Sequence, residues 1–123
     1  MIGVKMDKFY FQKSAEKSEK VKAFHGGSGY INQERIFASH KFPFYMAMWE
    51  LEPGASEGIH KHNEPLHKFR ELYYFLEGEG EVDLDNKTIR VSNGDSVLIN
   101  PETDRGIRNI GSDILKVMIL WGM

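Results

Sequence analysis

From Ile36 onward the chain consists of short apolar segments that are ended by turn-forming residues, and this pattern constrains the fold more than any other feature. Pro53-Gly54, Gly78-Glu79-Gly80 and Asp85-Asn86 separate such segments, and Asn93-Gly94 predicts a tight hairpin. No long stretch after residue 24 has helical periodicity. The pattern predicts an all-β sandwich or barrel. The predicted strands are 44–52, 58–62, 71–77, 81–85, 87–91, 96–100, 105–110 and 114–121.

The N-terminal part has a different texture, and we predict that it is an extension of a single domain. The 123 residues are the size of one domain, with residues 1–35 as an arm and 36–121 as the barrel core. Residues 14–23 contain good helix formers but few apolar side chains, which predicts a short surface helix or an ordered arm. Residues 25–29, HGGSG, predict a flexible linker or turn.

Charge, cysteine content and hydropathy exclude several classes of protein. The net charge is −2 without a concentrated basic footprint, so no nucleic-acid partner is expected. The chain has no cysteine, which excludes disulfides and thiolate chemistry and fits a reducing compartment. No stretch approaches the ~20 apolar residues of a membrane span, and the start lacks the apolar core of a signal peptide. We therefore expect a cytoplasmic protein with no membrane partner.

The candidate functional site lies between Gly54 and Gly78. His60 and His62 are two residues apart, so on an extended strand both imidazoles project from the same face. Glu71 begins a strongly apolar segment, where an acidic side chain should face a group that satisfies it. Two imidazoles and a carboxylate brought together by strand pairing can ligate a divalent transition metal such as Mn, Fe, Ni or Zn.

Aromatic side chains are predicted to surround this site. Tyr73 and Phe75 share a strand face with Glu71, so they line the barrel interior if Glu71 points inward. An aromatic-walled cavity with a few polar groups is typical of a small-molecule site. We interpret Trp49 and Trp121 mainly as core residues, and retain Trp49 with Phe75 as candidates for contact with a substrate.

Two motifs resemble the signatures of the cupin superfamily. In the first, five residues separate Gly54 from His60-Lys61-His62, and six residues separate Glu71 from Gly78. In the second, Gly94-Asp95 is followed by Pro101 and by Arg105-Gly106-Ile107-Arg108-Asn109. The resemblance covers about residues 36–120.

The resemblance implies a double-stranded β-helix, the jelly-roll or cupin barrel, with a short N-terminal arm or helix. It also implies that a metal is held inside the mouth of the barrel. Many cupins are homodimers in which an N-terminal arm takes part, so we expect a homodimer and this role for Met1–Phe11.

The chain departs from the cupin pattern in two places. Eight residues separate His62 from Glu71, more than the family usually has. They include His67, which is expected to become a metal ligand, to sit over the mouth, or to remain a solvent-exposed loop residue. Arg105 occupies the position of the last family ligand, a histidine. Arginine is always charged and has no lone pair to donate, so it cannot ligate a metal.

Three interpretations of Arg105 remain open. It turns outward and leaves a metal site of His60, His62 and Glu71. It points inward and clamps an anionic ligand bidentately. Or it pairs with a carboxylate while His67 completes the metal shell. We predict a metal site of His60, His62 and Glu71, with His67 as the fourth ligand.

Two classes of function follow. The first is a metal-dependent enzyme acting on a small anionic molecule, in which Tyr73 or His67 moves a proton and Arg105 holds a substrate carboxylate. Cupins of this size resemble dioxygenases, isomerases, lyases and decarboxylases alike, so the reaction stays open. The second is a non-catalytic module that binds a sugar or small acid at a degenerate metal site.

Overall fold

The computed structural model describes residues 4–5, 10–13, 18–37, 44–61 and 68–122. Their regular structure is almost entirely β, and the one helical element among them is a 3-10 turn at Phe24–Gly26. No helix in these ranges is long and apolar enough to cross a membrane. The strands are β1 (Val4–Lys5), β2 (Tyr10–Phe11), β3 (Ser18–Lys22), β4 (Tyr30–Ile36), β5 (Tyr45–Leu51), β6 (Arg70–Glu77), β7 (Gly80–Leu84), β8 (Lys87–Val91), β9 (Ser96–Ile99), β10 (Arg105–Asn109) and β11 (Leu115–Gly122).

The strands form two main sheets that enclose one core. A six-stranded sheet has the order β3-β4-β5-β11-β6-β9, and a three-stranded sheet has the order β10-β7-β8. The short strands β1 and β2 pair separately, and every pairing is antiparallel. This arrangement confirms the predicted all-β jelly-roll barrel.

Alternation along the strands explains how the core forms. In β11, Leu115, Val117 and Ile119 are buried while the residues between them are less so, because successive side chains point to opposite faces of a sheet. Residues from both sheets meet in one cluster, and burying each large apolar side chain stabilises the fold by about 1.5–3 kcal/mol. The buried members include Ile31, Trp49, Leu51, Tyr73, Phe75, Val82, Val91, Ile99, Ile107, Leu115, Val117 and Ile119.

Three local predictions differ from the structure. Ser18–Lys22 is an edge strand paired with β4 and not a helix, because sheet pairing outweighs a weak helix propensity. The predicted strand 58–62 is reduced to an isolated bridge between His60 and Arg105, and His62 lies outside the described residues. The Asn93-Gly94 turn does not form a hairpin, because β8 and β9 lie in different sheets. Residues 18–35 of the predicted arm join the six-stranded sheet through β3 and β4.

A close approach of two backbone segments positions the turn at Phe24–Gly26. The amide of Gly58 donates a hydrogen bond of 2.9 Å to the carbonyl oxygen of Phe24. A Cβ atom added at Gly58 would lie 1.7 Å from the carbonyl oxygen of His25, and one at Gly27 would lie 1.9 Å from that of Ser56. Only glycine fits at these two contacts, so residues 24–28 are held against residues 56–58.

We expect Gly58→Ala to lower the free energy of unfolding by about 1–3 kcal/mol, because the new methyl group must displace backbone. Gly111→Ala is the matched control, since its added Cβ would meet its nearest neighbour at an ordinary 3.6 Å. Urea denaturation of both variants measures the difference. Equal stability of the two variants would contradict the close approach.

Candidate functional site

A group of ionisable side chains is buried inside the barrel. Glu57, Glu71 and Arg105 are all in the buried class, and His60 is largely covered. They come from β6, from the start of β10 and from the segment that follows β5. The antiparallel bridge between His60 and Arg105 joins the last two elements through backbone hydrogen bonds of 2.8 and 2.9 Å. The structure therefore places His60, Glu71 and Arg105 in one region of the barrel.

Arg105 points into the barrel and is fully buried. Its Nη1 donates to Oε1 of Glu71 at 2.9 Å, while Nη2 and Nε donate to the carbonyl oxygens of Asn100 and Thr103 at 2.6 and 3.0 Å. The outward interpretation therefore does not hold, and the carboxylate partner of Arg105 is the predicted metal ligand itself. Three of the five N–H donors of the guanidinium are thus used within the chain.

Glu71 is committed to its neighbours by two hydrogen bonds to one oxygen. Besides Arg105, the hydroxyl of Tyr73 donates to Oε1 of Glu71 at 3.0 Å. Burial raises the pKa of Tyr73 well above its usual range, and the nearby charges of Glu57 and Glu71 raise it further. Tyr73 is therefore a protonated donor to Glu71, and its predicted role in proton transfer stays a prediction.

The other predicted contact residues belong to the core. Phe75 is fully buried and packs edge-on against Tyr73, with ring centroids 6.3 Å apart. Trp49 is also buried, and its indole Nε1 donates to Oε1 of Gln33 at 2.9 Å. Their roles in substrate contact remain predictions. His67 lies outside the described residues, as does His62, so their predicted roles as ligands also remain predictions.

His60 presents one ring nitrogen to a buried carboxylate. Its Nδ1 lies 2.9 Å from the carbonyl oxygen of Gly58. A carbonyl oxygen only accepts, so Nδ1 carries the hydrogen of this bond. Nε2 faces Oε2 of Glu57 at 3.3 Å.

His25 reaches the same carboxylate from the turn at Phe24–Gly26. Its Nε2 lies 3.7 Å from Oε2 of Glu57, and its ring stacks on that of His60 with centroids 4.2 Å apart. Partial burial lowers the pKa of His25, and the proximity of His60 lowers it further. His25 also has a left-handed backbone, with φ of 51°, which is uncommon for a residue other than glycine.

Two residues of this site, Glu57 and His25, were not identified from the sequence. The side chain of Glu57 is 2% exposed, and among the described residues its Oε1 has no hydrogen-bond partner. Burial raises the pKa of Glu57 well above its usual range; Glu71 raises it further, and Arg105 opposes the effect. The available signal was an acidic residue three positions before His60, next to a glycine, but that spacing alone indicates no chemistry.

The balance of charge in the site favours a cation. Two carboxylates, Glu57 and Glu71, share the barrel interior with one guanidinium, that of Arg105. With neutral imidazoles the ionised group has one excess negative charge, which is costly in a region of low dielectric constant. The donors around Glu57, an unsatisfied oxygen and two imidazole nitrogens, are of the types that bind divalent transition metals.

The structure is a jelly-roll barrel with a buried group of ionisable side chains, and comparisons with known proteins agree on the fold. The family profile described as "Cupin domain" matches residues 47–121. The chain therefore belongs to the cupin family. Its match to an uncharacterised protein of Methanocaldococcus jannaschii is 40% identical over 65 residues, covering 53% of this chain and 49%, about half, of that relative.

Two further similarities are with Thermotoga maritima proteins. A protein named oxalate-binding protein is 30% identical over 108 residues, covering 83% of this chain and 86% of that protein. A crystal structure of a predicted oxalate decarboxylase superposes with a TM-score of 0.79 at 27% identity, covering 90% of this chain and 96% of the other. These similarities extend beyond the profile match toward the N-terminus.

We expect Arg105→Leu to lower the free energy of unfolding by about 3–5 kcal/mol, because it leaves the buried Glu71 without its counter-charge. Arg108→Leu is the control: Arg108 pairs with Glu81 and Asp83 at the surface, and its loss should cost about 1 kcal/mol or less. Chemical denaturation measures both variants in the presence of a chelator. Equal losses of unfolding free energy in the two variants would show that the buried pair stabilises the fold no more than the surface pairs.

Proposed function

We propose that this cupin binds a small carboxylate, with a dicarboxylate such as oxalate as the first candidate, through a divalent metal held in the barrel. The observation that carries the proposal is a buried group in which two carboxyl side chains, Glu57 and Glu71, lie near one guanidinium, that of Arg105. An anion cannot bind favourably beside this group unless a cation binds first. The similarity to a protein named oxalate-binding protein supports a small dicarboxylate as the anion.

The predicted ligands differ in how well they fit a metal. His60 fits, because its Nε2 is oriented as a ligand by the hydrogen bond at Nδ1. Glu71 does not fit in its present arrangement, because Arg105 and Tyr73 both donate to Oε1. His62 and His67 lie outside the described residues, and their predicted roles as ligands stay predictions. A bound metal would supply positive charge and open coordination positions for a carboxylate.

A second candidate function is turnover of the same carboxylate. The observation that favours it is Glu57, a buried carboxyl group beside His60 whose pKa is raised well above its usual range by burial. A buried carboxylic acid in this position can act as a general acid. Binding without turnover stands first, because Tyr73 and Glu71 are held in an ion-pair network with Arg105.

We expect oxalate to stabilise the protein only in the presence of a divalent metal. Chelator-stripped protein is heated with Mn²⁺, Ni²⁺ or Zn²⁺, with oxalate, and with both. Saturation at about 100 times the dissociation constant adds about 2.7 kcal/mol, which raises Tm by about 10 °C for a chain of this length. Propionate, with one carboxylate, is the control ligand and should give a smaller shift.

Two results would contradict the proposal. One is an equal oxalate shift with and without chelator, and the other is no shift under any condition. Loss of oxalate from the same incubated samples, followed by chromatography, separates the two candidate functions. An unchanged amount of oxalate supports the binding module, and a decrease in its amount supports the enzyme.

We also propose that the protein is a homodimer that uses the outer face of the six-stranded sheet. Four residues lie in register across β5, β11, β6 and β9 on this face, namely Met46, Leu120, Leu72 and Leu98. Met48, Met118 and Tyr74 form the next row. An outer sheet face is usually polar, so two adjacent apolar rows favour a protein partner.

We expect Leu98→Glu to shift the protein from dimer to monomer. Leu98 is 64% exposed in the single chain, so its replacement should not disturb the fold, while a buried charge at an interface is strongly unfavourable. Ile89→Glu, on β8 in the other sheet, is the control with a similar change at an exposed site. Light scattering after size-exclusion chromatography gives the masses. A monomeric wild type, or dimers in both variants, would refute the proposal.

A further inference from the structure

His25 comes from a part of the chain distant from Glu57 and His60, yet the three side chains lie together, and all are of types that can ligate a metal. The ligand atoms of His25, Glu57 and His60 all lie within 4.8 Å of one another. The distances from Oε2 of Glu57 to the two imidazole Nε2 atoms are 3.3 and 3.7 Å. Ligand atoms bound to one metal at about 2.1 Å lie about 3.0–3.4 Å apart. The spacing is therefore close to that of a coordination shell.

A second observation points to a ligand at this place. Oε1 of Glu57 is buried and has no hydrogen-bond partner in the described part of the chain. Leaving a buried polar atom unsatisfied costs about 1–3 kcal/mol, and more for a charged group. Oε2 of the same carboxylate faces the imidazole Nε2 atoms of His25 and His60. A cation bound at Oε2 and the imidazoles would also satisfy Oε1 if the carboxylate chelated it with both oxygens.

We propose that His25, Glu57 and His60 hold the divalent metal of this barrel, displaced from Glu71 toward the N-terminal turn. This inference rests on the metal-dependent function proposed above and assigns its ligands. Glu57 takes the role that spacing predicts for Glu71, whose Oε1 is retained by Arg105 at 2.9 Å. His25 supplies an imidazole nitrogen where Arg105 has replaced a histidine.

The fold holds His25 in place for this role. The amides of Ser28 and Ser56 each donate to the carbonyl oxygen of the other residue, at 3.1 and 2.8 Å, and so fix the chain on one side of the turn. Phe24 stacks on the ring of His25 with centroids 4.3 Å apart, on the turn that also contacts Gly58. An imidazole lone pair lies in the ring plane, so metal capture requires the stacked rings to turn edge-on.

The decisive experiment is a Co²⁺ titration of chelator-stripped, full-length variants followed by visible absorption. His25→Ala and Glu57→Gln should each weaken Co²⁺ binding by about 10-fold or more. Glu71→Gln is the matched carboxylate variant, and should change the affinity by less than about 3-fold. Glutamine at position 71 can still accept from Arg105, and thermal melts confirm that each variant is folded.

A measurement on the wild-type protein avoids any dependence on folding of the variants. Zn²⁺ is added to protein labelled with ¹⁵N-histidine, and the ring nitrogen signals are followed. The proposal expects the signals of His25 and His60 to shift together at one equivalent. A His25 signal that stays fixed while that of His60 shifts would overturn it.

The outcomes separate this inference from the function on which it rests. If Glu71→Gln abolishes Co²⁺ binding while His25→Ala and Glu57→Gln leave it unchanged, the ligand assignment is wrong and metal-dependent binding stands. If the wild type binds neither Co²⁺ nor Zn²⁺, the ligand assignment is wrong, and oxalate titration in chelator shows whether carboxylate binding survives without metal.

Discussion

The buried ion pair between Arg105 and Glu71 is the interaction on which the arrangement of the barrel depends. Glu71 lies on β6 of the six-stranded sheet and Arg105 on β10 of the three-stranded sheet, so the pair connects the two sheets. Arg105 also donates to the carbonyl oxygens of Asn100 and Thr103, which orders the loop between β9 and β10. One side chain thus joins both sheets and a loop in a region without solvent.

The ion pair also changes what the interior can bind. A buried pair is favourable only when its hydrogen bonds are complete, and here Tyr73 supplies a further donor to Oε1 of Glu71. Glu71 is thereby neutralised by a group that cannot leave without a large cost. Glu57 then remains as the second buried carboxylate, and the field of Arg105 only partly offsets the effects of burial and of Glu71 on its pKa. This difference between the two carboxyl groups is the reason for proposing the cation at Glu57 and not at Glu71.

Most of the fold could be predicted from the sequence because its signals are local. Alternating apolar residues and turn residues identified β5, β6, β7, β8, β9, β10 and β11, with ends that differ by about one residue. Ser18–Lys22 was missed as a strand because its pairing with β4 is decided by a partner elsewhere in the chain. The Asn93-Gly94 turn was misread because a turn sequence does not tell which sheet the next strand joins.

The site was predictable only where its residues are linked by strand periodicity or by family spacing. Alternation along one strand predicted that Glu71 and Tyr73 share a face, and Arg105 was identified as a misfit at a ligand position. Glu71 is a carboxylate that faces inward, and Arg105 is an arginine where the cupin pattern has a histidine. The two side chains satisfy each other, in a contact between residues 34 positions apart in the sequence. His25 carried no local signal, since HGGSG reads as a turn, and its contact with Glu57 depends on two glycines that let the backbones meet.

The replacement of a histidine by Arg105 therefore has a consequence beyond the loss of one ligand. An arginine at this position converts the nearest carboxylate from a ligand into a structural partner, so a metal site can persist only if another carboxylate and another imidazole are at hand. Glu57 supplies a carboxylate and His25 supplies an imidazole. Both lie against His60, which is the predicted histidine ligand within the described residues. The two changes are thus coupled through electrostatics. The positive charge of Arg105 is paired with Glu71, and a metal would neutralise the negative charge of an ionised Glu57.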